Sequence, residues 1–259
     1  MIVLAIVVFV MIVASIAKQS MARPRPRKPI IVFVPGAWHT PGAHDLLLLR
    51  LHAAGYRTTS VNLPTVGATG PVSFADDVSA IRRVVSGLVD LEEDVFVVSP
   101  SYGDHPVTEA LMSLAKKDRL VKGRSGGVIQ LLYNAAIVPT KGISSAEAFG
   151  PMTPNETGGT WMIINDLGNG YTSLTNGEEA LSHDLPPNLA KYHASLLRTQ
   201  FQLYDDRAFP IERRRNVVKS DGIQRTMSLN TSHSPFLSDP EGVVDFIIEL
   251  VKERPSMSR

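Results

Sequence analysis

The chain has 259 residues, 44% of them apolar, with 26 basic and 25 acidic side chains and no cysteine. That length suits one large α/β domain with a full core better than two ordinary ones, and the missing cysteine excludes thiol nucleophiles, disulfides and thiolate metal sites. Five cations, Lys18, Arg23, Arg25, Arg27 and Lys28, precede residue 29 with no acid among them; the remainder holds 21 basic against 25 acidic residues and offers no basic footprint for nucleic acid.

Residues 1–17 are apolar apart from Ser15, and polarity begins at Lys18. A bilayer span needs about 17–25 such residues, and the cations that follow predict a single-pass anchor with the folded domain on the cytoplasmic side. A secretory signal cleaved near Ser15 and Ala17, or a cytosolic protein that starts at Met21, are the alternatives. The chain thus divides into a hydrophobic segment (1–20), an extended Arg/Pro linker (21–28) and a domain spanning 29–254.

Within the domain, residues 30–34 form a short β-branched apolar run suited to a strand buried on both faces. Residues 46–54 predict a helix, 57–63 a strand, and 75–89 an amphipathic helix with Val78, Ile81, Val84, Val85 and Leu88 on one side. A strand at 95–98, a helix after Gly103 and a strand at 128–138 continue the alternation, which predicts a mainly parallel sheet covered by helices on both faces. The glycine-rich stretch from Gly123 to Gly127 precedes a strand instead of following one, so it reads as a turn and not a phosphate loop. Residues 139–197 break the regularity with many Gly, Pro and Asn, and predict a small cap over the site. Strands at 199–204 and 223–229 and a helix at 240–252 close the chain.

Three residues stand in an order that suits hydrolytic chemistry. Ser101, in Ser99-Pro100-Ser101-Tyr102-Gly103, follows a buried strand and precedes a helix, which is where a sharp corner exposes a nucleophile. Asp206 and His233 follow in the order nucleophile, acid, base. Asp205 is a close rival to Asp206, and each of the three could alone be an ordinary turn residue. The loop Pro35-Gly36-Ala37-Trp38 follows the first strand and would supply one oxyanion-hole amide at Ala37, the other coming from Tyr102. Trp38, His39 and Trp161 are candidate substrate contacts. No metal-ligand spacing or cofactor motif is present, so neither is expected.

The segments from Val32 to His39, Ser101 to Gly103, Asp206 to Pro210 and His233 to Ser238 together resemble the α/β-hydrolase superfamily. The likeness is to its small esterase-like branch of methylesterases, hydroxynitrile lyases and microbial hydrolases, and it runs from about Lys28 to Glu253. It implies a Ser101-Asp206-His233 triad, an oxyanion hole at Ala37 and Tyr102, and a helical cap. The chain departs from that branch's Gly-His-Ser-x-Gly-Gly elbow at Ser99, Pro100 and Asp104, and carries Ser232 where a glycine precedes the base. The expected function is hydrolysis of a small, fairly apolar ester, lactone or related acyl compound. A lyase or other tailoring enzyme using the same triad, or a non-catalytic small-molecule binder on this scaffold, are the alternatives.

Overall fold

The computed structural model describes residues 27–135, 164–168, 170–201, 225 and 227–253. Strands β1 (Ile30–Phe33), β2 (Arg57–Ser60), β3 (Asp94–Pro100) and β4 (Gly127–Asn134) form a parallel sheet in the order β2-β1-β3-β4. Parallel neighbours need crossovers, supplied by α1 (Asp45–Ala53), α2 (Phe74–Asp90), α3 (Asp104–Ala110) and α4 (Lys116–Leu120). Side chains alternate across the pleat, so each central strand feeds two cores. Val32, Val95 and Val97 pack with Ile81, Val85 and Val89 of α2 and Val107 of α3 on one face. Ile31, Phe33, Phe96 and Val98 pack on the other face with Leu47 and Leu51 of α1. That second core is completed by Val243, Phe246, Ile247 and Leu250 of the last helix, Pro240–Lys252.

Capping chemistry explains where the helices start. The Asp76 carboxylate accepts from the Ser73 N–H (2.7 Å) and hydroxyl (2.8 Å) ahead of α2, and Asp239 accepts the Gly242 N–H (2.9 Å) at the start of the last helix. The strand expected over 57–63 stops at Ser60: the Val61 N–H still reaches the Phe33 carbonyl (2.9 Å), after which the chain turns, the Val66 N–H closing on the Leu63 carbonyl (3.1 Å).

Beyond β4 lies a second, antiparallel sheet of β5 (Ile164–Asp166), β6 (Tyr171–Leu174) and β7 (Gln200–Phe201), accompanied by α5 (Gly177–Ser182) and α6 (Pro187–Ser195). These elements form the inserted cap region. Gln200 and Phe201, expected as part of a late strand, pair with β6 in this second sheet. Of the strand expected over 223–229, the described residues are loop: Arg225 bonds Glu249 (2.6 Å) of the last helix with its side chain instead of joining a ladder.

The expected single-pass membrane topology, with association through residues 1–17, is corrected by the structure. Among the described residues no helix is long and apolar enough to cross a membrane. The longest of them, α2, has 17 residues and carries Asp76, Asp77, Arg82, Arg83 and Asp90, whereas a span needs about 20 predominantly apolar ones. Residues 1–17 themselves lie outside the described residues.

The glycine stretch before β4 marks a close crossing of backbones. A Cβ on Gly127 would sit 2.3 Å from Lys116 Cα, and one on Gly126 2.5 Å from the Val89 carbonyl oxygen. Gly87, exposed within α2, has nothing within 4 Å of such a Cβ. Gly127→Ala should therefore lower stability by about 1–3 kcal/mol, whereas Gly87→Ala should raise it by about 0.5–1 kcal/mol. Urea unfolding of both variants checks the pair; shifts of the same sign would contradict the packing described.

Candidate active site

The central strand β3 delivers its last residues to the site. Ser101 follows Pro100 directly with a φ of 50°, left-handed backbone that costs a non-glycine residue about 1–2 kcal/mol. A 3-10 turn, Ser101–Gly103, then leads into α3. The turn is possible because residue 103 has no side chain: a Cβ there would lie 2.4 Å from the Pro35 carbonyl oxygen and 2.9 Å from that of Val34. Gly36 makes the reciprocal approach, its Cβ position being 3.3 Å from Ser101 Cβ and from the Pro100 carbonyl oxygen. Pro100 still keeps its place in the sheet opposite Asn134. Asp104 is fully buried in the first turn of α3, with Oδ1 3.8 Å from Nε2 of His105. Burial pushes His105 down to about 4, so this contact is not an ion pair at neutral pH.

The loop after β1 carries Ala37, Trp38 and His39, all buried. Trp38 has a φ of 62°. Its N–H donates to Gln200 Oε1 (3.3 Å), and the His39 N–H donates to the Gly36 carbonyl (3.3 Å). Those two bonds occupy the amides of Trp38 and His39. His39 Nδ1 donates to the Ala37 carbonyl (2.8 Å); burial, opposed by this bond, lowers His39 to about 4. Behind it, fully buried His44 is held between Phe33 (ring centroids 4.0 Å) and Phe236 (4.5 Å). Burial and the neighbouring His39 keep it well below the ordinary histidine range.

Ser101 and His233 open onto the same small pocket, about 290 Å³ including its open mouth. Gly36, Ala37, Trp38, His39, Pro100, Leu181, Ser234 and Phe236 complete its described lining. None of these is a carboxylate, an ammonium or a guanidinium, so the described walls favour an uncharged ligand. Among the described residues no three His, Asp or Glu side chains converge as metal ligands.

His233 stands just before a short helix, α7 (Pro235–Ser238), which precedes α8 (Pro240–Lys252). Its segment is tied to the cap by polar bonds. Asp184, after α5, accepts the Ser232 N–H (2.6 Å) and the Ser238 hydroxyl (2.7 Å), and Ser232 Oγ donates to the Leu181 carbonyl (2.9 Å). Partial burial pushes Asp184 up, but these donors outweigh it and hold the carboxyl below its usual range. The serine that stands where glycine was expected thus fastens the loop.

Of the residues singled out from sequence, the structure brings Ser101, His233, Ala37, Trp38 and His39 onto one pocket. Tyr102 is buried beside it, its hydroxyl turned away to Asp77 (2.8 Å). Asp206, its rival Asp205, and Trp161 lie outside the described residues. Sequence reasoning missed the Asp184 anchor and the buried polar group of Asp77, Thr65 and Gln200. For Asp77 there was a signal: it falls four residues before Ile81, on the apolar stripe Ile81, Val85, Val89, where a carboxylate must find donors.

The sequence model of the "Alpha/beta hydrolase family" matches residues 31–246. Alpha/beta hydrolase nvfD of Aspergillus novofumigatus is 28% identical over 246 residues, covering 85% of this chain and 95% of that protein. Probable hydrolase R7 of Phoma sp. is 29% identical over 171 residues, 64% of each chain. Among solved structures, methylketone synthase I from tomato, complexed with 2-tridecanone, superposes with a TM-score of 0.66 at 12% identity, covering 88% of this chain and 100% of that one. A methylesterase from Arabidopsis gives 0.65 at 18% identity over 86% and 99%. At such identities the structural likeness carries the fold.

The buried histidines predict acid lability. His39 and His105 have folded-state pKa values lowered to about 4, so between the ordinary value of about 6.5 and 4 the unfolded chain binds more protons and stability must fall as pH falls. By pH 5 each should have cost on the order of 2 kcal/mol. Urea midpoints at pH 7, 6 and 5 test this, and a flat profile over that window would contradict the buried, neutral state of these rings.

Proposed function

Because the chain belongs to the alpha/beta hydrolase family, we propose that it is a serine hydrolase cleaving a small, fairly apolar ester, lactone or related acyl compound through Ser101, Asp206 and His233. The observation that carries this reading is the meeting of Ser101, held in left-handed backbone at a strand-to-helix corner, and His233 on one pocket whose described walls are otherwise uncharged. The two hydrolase relatives and the methylesterase likeness agree with it.

The chemistry follows from those placements. A serine hydroxyl is a weak nucleophile until a base takes its proton. In this scheme His233 accepts the proton as Ser101 Oγ bonds to the substrate's carbonyl carbon, and the carbonyl π electrons move onto oxygen. The amides of Ala37 and Tyr102 receive that negative charge. Collapse of the adduct expels the alcohol, which takes the proton from His233, and leaves an acyl-serine. Water, deprotonated by His233, then attacks the acyl carbon and releases acid and free Ser101. Asp206 holds the imidazole in the required tautomer and stabilises its cation.

Ser101→Ala should stay folded, lose labelling by a fluorophosphonate, and lose turnover of p-nitrophenyl acetate by about 10³-fold or more. Labelling and turnover equal to the parent protein would sink the hydrolase reading, and labelling absent from the parent itself would favour a non-catalytic binder.

The acid is assigned to Asp206 over Asp205 because the Asp-x-x-x-Pro run from Asp206 to Pro210 matches the hydrolase pattern. Asp206→Asn is expected to cost about 10³-fold or more in kcat, and Asp205→Asn less than about tenfold. Equal or reversed losses in steady-state kinetics would refute that assignment and leave the rest of the scheme standing.

A further inference from the structure

A continuous buried chain of hydrogen bonds joins the elbow to the loop after β1. Asp77 on α2 accepts the Thr65 N–H (3.0 Å) at Oδ1, and the Thr65 hydroxyl (2.6 Å) and Tyr102 hydroxyl (2.8 Å) at Oδ2. Having given its proton to Asp77, Thr65 Oγ1 accepts from Gln200 Nε2 (2.6 Å). The other end of that amide, Oε1, accepts the Trp38 N–H (3.3 Å). Thr65, Asp77 and Gln200 are at most 1% exposed, and Trp38 and Tyr102 at most 6%.

Every donor in this chain is oriented toward one group that only accepts. From Asp77, one arm runs to Tyr102, the residue after Ser101. The second arm runs through Thr65 and Gln200 to Trp38, the residue after Ala37. Trp38 has its carbonyl tied as well, accepting the Arg198 N–H (2.9 Å). Both of its backbone groups are therefore held by residues 198–200 of the cap. That double tether is what a left-handed tryptophan requires, since a strained φ persists only where the surroundings over-determine it.

We propose that Asp77 is a positioning residue which, through Tyr102 on one side and Thr65 and Gln200 on the other, holds the Ala37 and Tyr102 amides at the separation an oxyanion needs. The proposal rests on the hydrolase reading above. It assigns the cap strand β7 a part in the chemistry: Gln200 takes the Trp38 N–H and so fixes the Ala37–Trp38 peptide plane, on which the neighbouring Ala37 N–H is hinged. Donors that are aligned in advance act on charge that develops only in the transition state, so loosening them should reduce kcat and leave substrate binding nearly alone.

The test compares Tyr102→Phe and Gln200→Ala with the parent protein, with Asp77→Asn as the hub variant. Each is checked for folding by circular dichroism, then assayed with p-nitrophenyl acetate and with a small fluorophosphonate. Tyr102→Phe keeps the backbone amide and loses only the tether, so it remains informative if Asp77→Asn does not fold. Expected for Tyr102→Phe and Gln200→Ala are losses of about ten- to a hundredfold in kcat and in phosphonylation rate, a KM within about twofold, and an unmoved midpoint of the pH profile. A kcat within about threefold of the parent in both, or a loss confined to KM, would overturn the proposal while leaving a reactive hydrolase. A parent protein that neither reacts nor turns over would remove the hydrolase reading and this proposal with it.

Discussion

The site depends on how closely two backbones approach. β1 and β3 are adjacent in the sheet, so the turn leaving β1 and the corner leaving β3 compete for the same space at their carboxyl ends. The missing side chain of Gly103 lets them pass, since a Cβ there would strike the Pro35 and Val34 carbonyls, and the bare Gly36 eases the approach from the other side. The contact brings Ser101 against the loop that carries Ala37. Sheet order and the bare glycines together bring the Ser101 corner and the loop after β1 onto one pocket at the carboxyl ends of the strands.

What surrounds that contact is held by two different kinds of force. The sheet and its helices are fastened by apolar burial on both faces, a non-directional force that tolerates small shifts. The segments bearing His233 and Trp38 are fastened by short polar bonds with defined direction, Asp184 to Ser232 and Gln200 to Trp38. Both anchors come from the region beyond β4. The cap therefore does more than cover the pocket, because the geometry of the His233 segment and of the loop after β1 is set from its side.

Legibility in the sequence followed the same division. β1, β3 and α2 were readable because a buried strand is a continuous β-branched run and an amphipathic helix repeats every three to four residues. The corner at Ser101 was readable from a strand, a serine and a glycine two places on. Directional tethers leave no such periodicity. Gln200 lies in a strand of two residues and meets Thr65 across 135 positions, and Ser232 meets Asp184 across 48. Ser232 drew notice only as a departure from glycine, yet its hydroxyl and amide are what fasten the loop. Asp77 was the one long-range partner with a local mark, a carboxylate at a stripe position that otherwise holds Ile81, Val85 and Val89.

The placement of charge ties these observations together. The described pocket lining has no carboxylate, ammonium or guanidinium, and His39 within it is held neutral by burial at any pH above about 4. On the proposed reading, an oxyanion there would meet no ammonium or guanidinium among the described walls and would lean on amide dipoles, whose value rises as water is excluded. Asp77 lies just outside, and its carboxylate faces three donors from Thr65 and Tyr102. Burial pushes its pKa up, and those bonds only partly offset the push. An anion so close to the elbow would oppose the reaction if its field were unbalanced. Spent on aligning donors, it instead fixes the direction of the Tyr102 side chain and, through Gln200, of the Trp38 amide, so that a charge destabilised by burial serves alignment beside a pocket whose described walls hold no carboxylate.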